Sequence, residues 1–141
     1  MKMMVAAVSA WLLLAALPLQ AKAKPKPQKA ASPDPSYIAA LATVDHFLHA
    51  WQVQDHETGL LMLTDAAKRH TSEEHLQEFF SPGSATQQAY EIGHGTRLKL
   101  GRYSFPVTLV VAGPGRDLSR RFSQIIVIRT SKEDWAVDKL P

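Results

Sequence analysis

From residue 35 onward the apolar positions of the chain fall into two periods. Tyr37, Leu41, Val44, Leu48 and Trp51 follow one another at steps of four, three, four and three, which places them on one face of an α-helix. Ala40 and Phe47 widen that stripe, His46 and His49 turn away from it, and Asp45 sits on its edge. Asp34 or Ser36 is placed to cap this helix, with Pro35 in the first turn, where a missing N–H costs nothing. A second helix carries Leu60, Leu61 and Leu63 in spite of Gly59. A third opens at Thr71-Ser72-Glu73-Glu74, which reads as a capping box with Thr71 as cap and Glu74 reaching back. It carries Leu76, Phe79 and Phe80 and stops at Ser81-Pro82-Gly83-Ser84.

From about Ala89 the period becomes two. Tyr90, Ile92, Leu98 and Leu100 alternate with polar residues, and Gly93 and Gly95 mark a bulge or bend between them. Gly101-Arg102 reads as a two-residue hairpin turn with glycine first. Tyr103, Phe105, Val107, Leu109 and Val111 then point one way. After a loop at Gly113-Pro114-Gly115-Arg116-Asp117, Phe122 to Arg129 forms a strand whose Ile125-Ile126-Val127-Ile128 is apolar on both faces, hence central. A polar turn at residues 130–134 leads to a last strand with Trp135, Val137 and Leu140. Two or three helices followed by an antiparallel sheet of about four strands make an α+β domain over residues 36–141.

The N-terminus reads differently. Lys2 precedes a run from Met3 to Leu19 whose one polar residue is Ser9, Pro18 breaks the run, and Ala21-Lys22-Ala23 is a small-x-small cleavage pattern. Residues 1–23 are therefore expected to be a secretory signal peptide. The rival is an uncleaved anchor, for which the run is somewhat short of the roughly 20 apolar residues a span needs. Residues 24–35, with four prolines among spaced lysines, read as an extended tether. The expected location is periplasmic or secreted, with no membrane span left after cleavage.

Charge changes the picture only once it is divided along the chain. The whole has 16 Lys+Arg against 13 Asp+Glu, but residues 1–29 hold five lysines and no acid, which leaves 11 basic and 13 acidic residues over 30–141. The domain is close to neutral, and a general nucleic-acid-binding surface is not supported. The absence of cysteine removes disulfides, thiol nucleophiles and Cys-based metal sites. The absence of asparagine removes N-glycosylation.

Phe47-Leu48-His49-Ala50-Trp51, then Asp55, then Gly59-Leu60-Leu61-Met62-Leu63 resembles the opening of the NTF2-like (cystatin-like cone) superfamily. The ending, Ile125 to Arg129, a polar turn and Trp135-Ala136-Val137-Asp138-Lys139-Leu140, resembles its closing hairpin. The resemblance implies a curved sheet wrapped round helices, a conical pocket and often a dimer. The superfamily includes ketosteroid-isomerase-like and polyketide-cyclase-like enzymes, dehydratases and binding domains without known activity. Its enzymes use Asp, His or Tyr side chains inside the cone, and a complete set is not matched here.

The candidate chemistry divides between sharp and plain readings. Asp55, if the first helix extends to it, comes round to the apolar stripe near Trp51, where a raised pKa would suit a proton-transfer base; the plain reading is a helix cap. His94, between two glycines, either projects into a pocket from a bent strand or is simply exposed. His46-x-x-His49 lacks an HExxH pattern and faces away from the stripe, so no metal and no cofactor is expected. Gly113-Pro114-Gly115 with Arg116, Arg120 and Arg121 leads into a strand rather than a helix, and reads as a hairpin loop with basic flanks. Trp51, Asp55, Tyr90, His94 and Tyr103 are the candidate ligand-binding residues, with Asp55, His94 and Tyr103 as the catalytic candidates. The leading expectation is an exported, non-catalytic domain holding a small apolar ligand or a protein partner. Its alternative is an isomerase- or dehydratase-type enzyme with Asp55 as general base, and a homodimer through the sheet face bearing Phe122 and Ile126 is the third.

Overall fold

The protein is described here by a computed structural model, covering residues 34–81, 83, 87–115 and 117–141. The expected signal peptide and nearly all of the tether lie outside the described residues. Among the described residues no helix is long and apolar enough to cross a membrane.

Helix α1 spans Pro35–Gln52, with Asp34 as its cap accepting from the Ser36 N–H at 3.0 Å and Pro35 in its first turn. Ala40, Val44, Phe47, Leu48 and Trp51 are buried along one face, and Tyr37 and Leu41 pack at its margin, as the sequence spacing requires. The helix stops because Gln54 turns into the left-handed region at φ 59°. The Gln54 N–H then reaches the Trp51 carbonyl and the Asp55 N–H the Ala50 carbonyl, at 3.1 and 2.8 Å. This is a Schellman closure with glutamine where glycine is usual; the helix does not extend to Asp55, which instead caps the next helix, its plain reading.

Three short helices follow among the described residues: α2 (His56–Leu61), α3 (Asp65–His70) and α4 (Glu73–Phe80). Leu61 is 76% exposed and Leu60 is also exposed, while Leu63 is buried; the second apolar stripe expected from the sequence is therefore not a core face. The buried position of α2 is Gly59, where a Cβ would strike the Phe80 ring, so this glycine permits a close contact. Helix α3 has no counterpart in the sequence reading, because only one of its six residues, Ala67, is buried and no stripe announces it. Thr64 caps it, accepting from Ala67 N–H at 2.9 Å. The cap of α4 is Ser72, whose hydroxyl accepts from His75 N–H at 3.1 Å. Thr71 is the C-cap of α3 instead, one residue away from the expected capping box.

Five strands make one open antiparallel sheet: β1 (Gln87–Ile92), β2 (Thr96–Lys99), β3 (Arg102–Ala112), β4 (Leu118–Arg129) and β5 (Trp135–Lys139), in the order β1-β3-β4-β5 with β2 also paired to β3. The segment expected as one bent strand is β1 and β2, both on the same side of β3 and separated by Gly93-His94-Gly95. Gly95 is buried, and a Cβ on it would overlap the Phe105 ring. Pro106 sits opposite this break, its carbonyl accepting from Gly93 N–H at 2.8 Å. A strand residue aims its N–H and C=O to the same side, so the N–H that proline lacks faces the break and no bond to β4 is lost.

The β2–β3 hairpin turns at Leu100-Gly101, with Gly101 at φ 72°. Glycine is second in the turn, not first as expected, because that is where the positive φ falls. β4 begins at Leu118, four residues before the expected start. β3 buries Tyr103, Phe105, Val107 and Leu109 on its inner side, and β4 buries Ile125 and Val127 beside them. The open edge of β5 is covered by residues 62–64, whose Thr64 N–H donates to the Val137 carbonyl and whose Met62 carbonyl accepts from Val137 N–H, which limits edge-to-edge pairing.

Gly95→Ala should cost about 1–3 kcal/mol, as overpacking against a rigid neighbour does, because Phe105 is 0% exposed and has nowhere to go. Urea unfolding of the variant beside the parent measures it.

Candidate functional site

The inner face of the sheet changes character along β3. Near Phe105 it is closed by α1. Toward the other end, two cross-strand rows continue past the core: Tyr90–Leu109–Arg121 and Gln88–Val111–Ser119. Residues directly opposite one another in such rows share a face, so the inner surface here is an apolar strip from β3 flanked by polar side chains from β1 and β4.

Helix α4 roofs this strip. His75 shares one face of it with Glu78 and Phe79, three and four residues on, and Trp51 closes the side from the last turn of α1. Together with Leu109, Val111, Ser119 and Arg121 they line a half-open cavity of about 300 Å³, at the small end of the range for ligand sites. The Trp51 indole N–H donates to the Phe79 carbonyl at 2.9 Å in a buried bond, satisfying one of the carbonyls a helix end leaves open. The rings of Trp51 and Phe79 stack with centroids 6.0 Å apart, and Phe47 stacks on Phe79 at the same spacing. The roof is thus fixed to α1 by both a hydrogen bond and aromatic packing.

Two polar groups frame the apolar strip. Arg121 occupies an inward position of β4, and its Nη2 donates to an oxygen of Pro141, the last residue, at 2.6 Å. Gln88, 8% exposed, has neither its amide oxygen nor its amide nitrogen bonded. Burying such a group unsatisfied costs about 1–3 kcal/mol. Tyr90, beside Leu109, donates to Asp45 Oδ1 at 2.8 Å; burial first, then the Asp45 carboxylate, pushes its phenol up to about 12.

Of the residues singled out from the sequence, Trp51 lines this cavity and Tyr90 borders it. The others lie elsewhere. Asp55 caps α2, exposed, its two oxygens taken by the Thr58 N–H at 3.1 Å and the Thr58 hydroxyl at 2.7 Å. Those two bonds hold its carboxyl below the usual carboxylate range, the opposite of what a neutral-pH base requires. Tyr103 is buried at the far end of β3 and donates to Asp34 Oδ2 at 2.7 Å. Burial, then the bond to Asp34, raises its phenol pKa. His94 is exposed in the β1–β2 break, its Nδ1 3.3 Å from the Tyr37 hydroxyl, which accepts from Gly95 N–H at 3.0 Å. Six residue steps along β3 take the strand from Tyr103 to Leu109, roughly 20 Å. The Asp34–Tyr103–His94 group and the cavity therefore lie at opposite ends of the sheet, and the three catalytic candidates share no pocket.

His46 and His49 are exposed on α1, and among the described residues no three His, Asp or Glu side chains converge to hold a metal. The basic cluster seen in sequence is divided by the strand alternation: Arg120 faces outward opposite Val110, while Arg121 faces inward opposite Leu109. A wider trough of about 830 Å³ runs between α3 and the chain end. It is more polar, and its Arg102 and Asp138 are already paired at 2.7 Å.

Two solved structures resemble this architecture. A ketosteroid isomerase-like protein from Erwinia carotovora atroseptica aligns at a TM-score of 0.56 and 12% identity, over 75% of this chain and 93% of that one. A domain of unknown function with a cystatin-like fold from Nostoc punctiforme aligns at 0.57 and 15% identity, over 75% of both chains. The fold is NTF2-like. At such identities the likeness carries the architecture and no activity. No protein-family model matches the sequence, and no curated protein matches it. Within the NTF2-like frame, the cavity lies between the helices and the inner face of the sheet, where the resemblance in sequence placed a pocket.

The Tyr103 hydroxyl and then the Ser36 N–H hold Asp34 below its ordinary value of 3.8. Its contribution to stability is therefore complete above about pH 3.8 and is lost as pH falls through the lower folded value. Asp34→Asn, which keeps a capping side chain, should be less stable than the parent at pH 6, and the difference should shrink toward pH 2. Urea midpoints across that range check it.

Proposed function

We propose that the chain is an exported binding domain that holds a small amphipathic ligand in the cavity under α4 and carries out no reaction on it. The observation that supports this most directly is the cavity's lining: Trp51, Phe79, Leu109 and Val111 supply an apolar surface, and none of the catalytic candidates reaches it. Small-molecule sites have this make-up, a mostly apolar wall with a few placed polar groups. Export is supported by Lys2, the apolar run to Leu19 and Ala21-Lys22-Ala23. The isomerase-like neighbour keeps an enzyme reading in view, but Asp55 as general base has little to support it, being exposed, committed to Thr58 and held ionised.

A native mass spectrum of the gently purified protein is expected to show a mass excess that disappears on denaturation. Val111→Trp, which fills the cavity from a half-buried wall position, should abolish the excess without unfolding the domain. An apo spectrum for the parent, with no change on addition of amphiphiles, would count against the binding reading.

A second reading has its own observation. On the outer face of the sheet Phe122 is 78% and Leu118 69% exposed, larger apolar groups than a solvated strand face needs. We infer a homodimer through this face, compatible with ligand binding on the other. Light scattering should give a dimer mass for the parent and a monomer for Phe122→Asp; a monomeric parent would end this reading.

A further inference from the structure

We propose that Gln88 reads the ligand, and that the ligand carries a neutral donor and acceptor side by side, as a carboxamide, lactam or urea does. This rests on the cavity being the binding site and adds the chemistry of what enters it.

Gln88 stands where the sheet has use for an apolar side chain. It lies directly opposite Val111 in the inner row that continues to Ser119, and both of those residues line the cavity. Its backbone carbonyl accepts from the Gln52 side-chain amide at 3.1 Å, which ties this part of β1 to the last residue of α1, next to Trp51. The residue is 8% exposed. Among the described residues no group bonds its amide oxygen or its amide nitrogen, and solvent reaches neither atom, so a bridging water does not stand in for a partner. A methionine would fill the same place without leaving polar atoms unpaired. In the free domain the amide therefore costs stability, and its use lies in a state where a partner is present.

The space beside it where a partner can enter is the cavity. Side chains directly opposite one another in such a row stand about 5 Å apart, within the sweep of a glutamine's torsions. The amide is not part of the cavity lining in the free domain; turning it past Val111 brings it there when a ligand enters. A carboxamide offers an acceptor and a donor in one plane. A carboxylate or ester only accepts and leaves the glutamine oxygen unpaired, and an ammonium only donates and leaves the nitrogen unpaired. A group with both, such as a second carboxamide, pairs both atoms at once through two N–H···O bonds. The strip of Leu109, Val111, Trp51 and Phe79 then takes the apolar remainder of the molecule.

Hexanamide, methyl hexanoate and hexanoate are the probes, titrated into the isotope-labelled protein and into Gln88→Met and followed by NMR. Hexanamide should bind about tenfold more tightly than the ester or the acid anion, because a site built to pair a donor rejects an analogue that lacks it. The side-chain amide signal of Gln88 should move as hexanamide binds and stay in place with the ester. Gln88→Met, close in length but without donor or acceptor, should erase the preference, leave the ester's affinity unchanged and raise the urea midpoint. Equal binding of amide and ester, preference for the anion, a Gln88 signal that does not move, or a preference that survives Gln88→Met each overturns the assignment to Gln88 while leaving the cavity as a binding site. A Gln88→Met variant less stable than the parent shows that the amide holds the fold, and overturns it as well. Failure of all three probes to bind overturns both.

Discussion

The domain depends on one packing arrangement, the apolar stripe of α1 laid along the inner face of β3 and β4. Phe47, Leu48 and Val44 from the helix and Phe105, Ile125 and Val127 from the strands are all fully buried, and each such side chain contributes roughly 1.5–3 kcal/mol by leaving water. The arrangement needs β3 to lie inside the sheet, with partners on both sides, and to present every second residue inward without interruption. The Gly93-His94-Gly95 break meets that need. It lets the edge change course beside Phe105 and Pro106 while β3 itself stays continuous.

Because the helix and the strand are both long, this single interface has two ends with different chemistry. One is closed by polar contacts: Asp34 to Tyr103, Tyr37 to Gly95 and His94, and Arg129 to Ser36. The other is where α1 stops and the sheet continues, and α4 covers the remainder only in part. The cavity results from that mismatch in length together with the anchoring of α4 through Trp51 and Phe79.

How much of this was legible in the sequence follows from how local each signal is. The α1 stripe and the alternation of β3 are periodic, and each was readable from its own segment. The stop at Gln54 was not, since a left-handed glutamine carries no glycine to announce it, and that one residue decides whether Asp55 faces the core or caps the next helix. Helix α3 buries a single alanine and leaves no pattern. The site was the least readable part, because His75, Phe79, Leu109 and Arg121 come from three elements that meet only after the sheet has paired. Arg121 was visible as a member of a basic cluster. Its separation from Arg120 follows from strand alternation, hidden because β4 begins at Leu118, before the expected start at Phe122.

The length of α1 has a further consequence. Eighteen residues of helix extend about 27 Å, and Asp34 and Trp51 stand near its two ends. Sites so far apart with no shared partners contribute to stability almost additively. The end at Asp34 and the end that borders the cavity are thus energetically insulated from each other, joined by a rigid core that neither needs to disturb. Selection or engineering can retune the contacts at Asp34 and Tyr103 without reshaping the cavity, and can reshape the cavity without loosening those contacts.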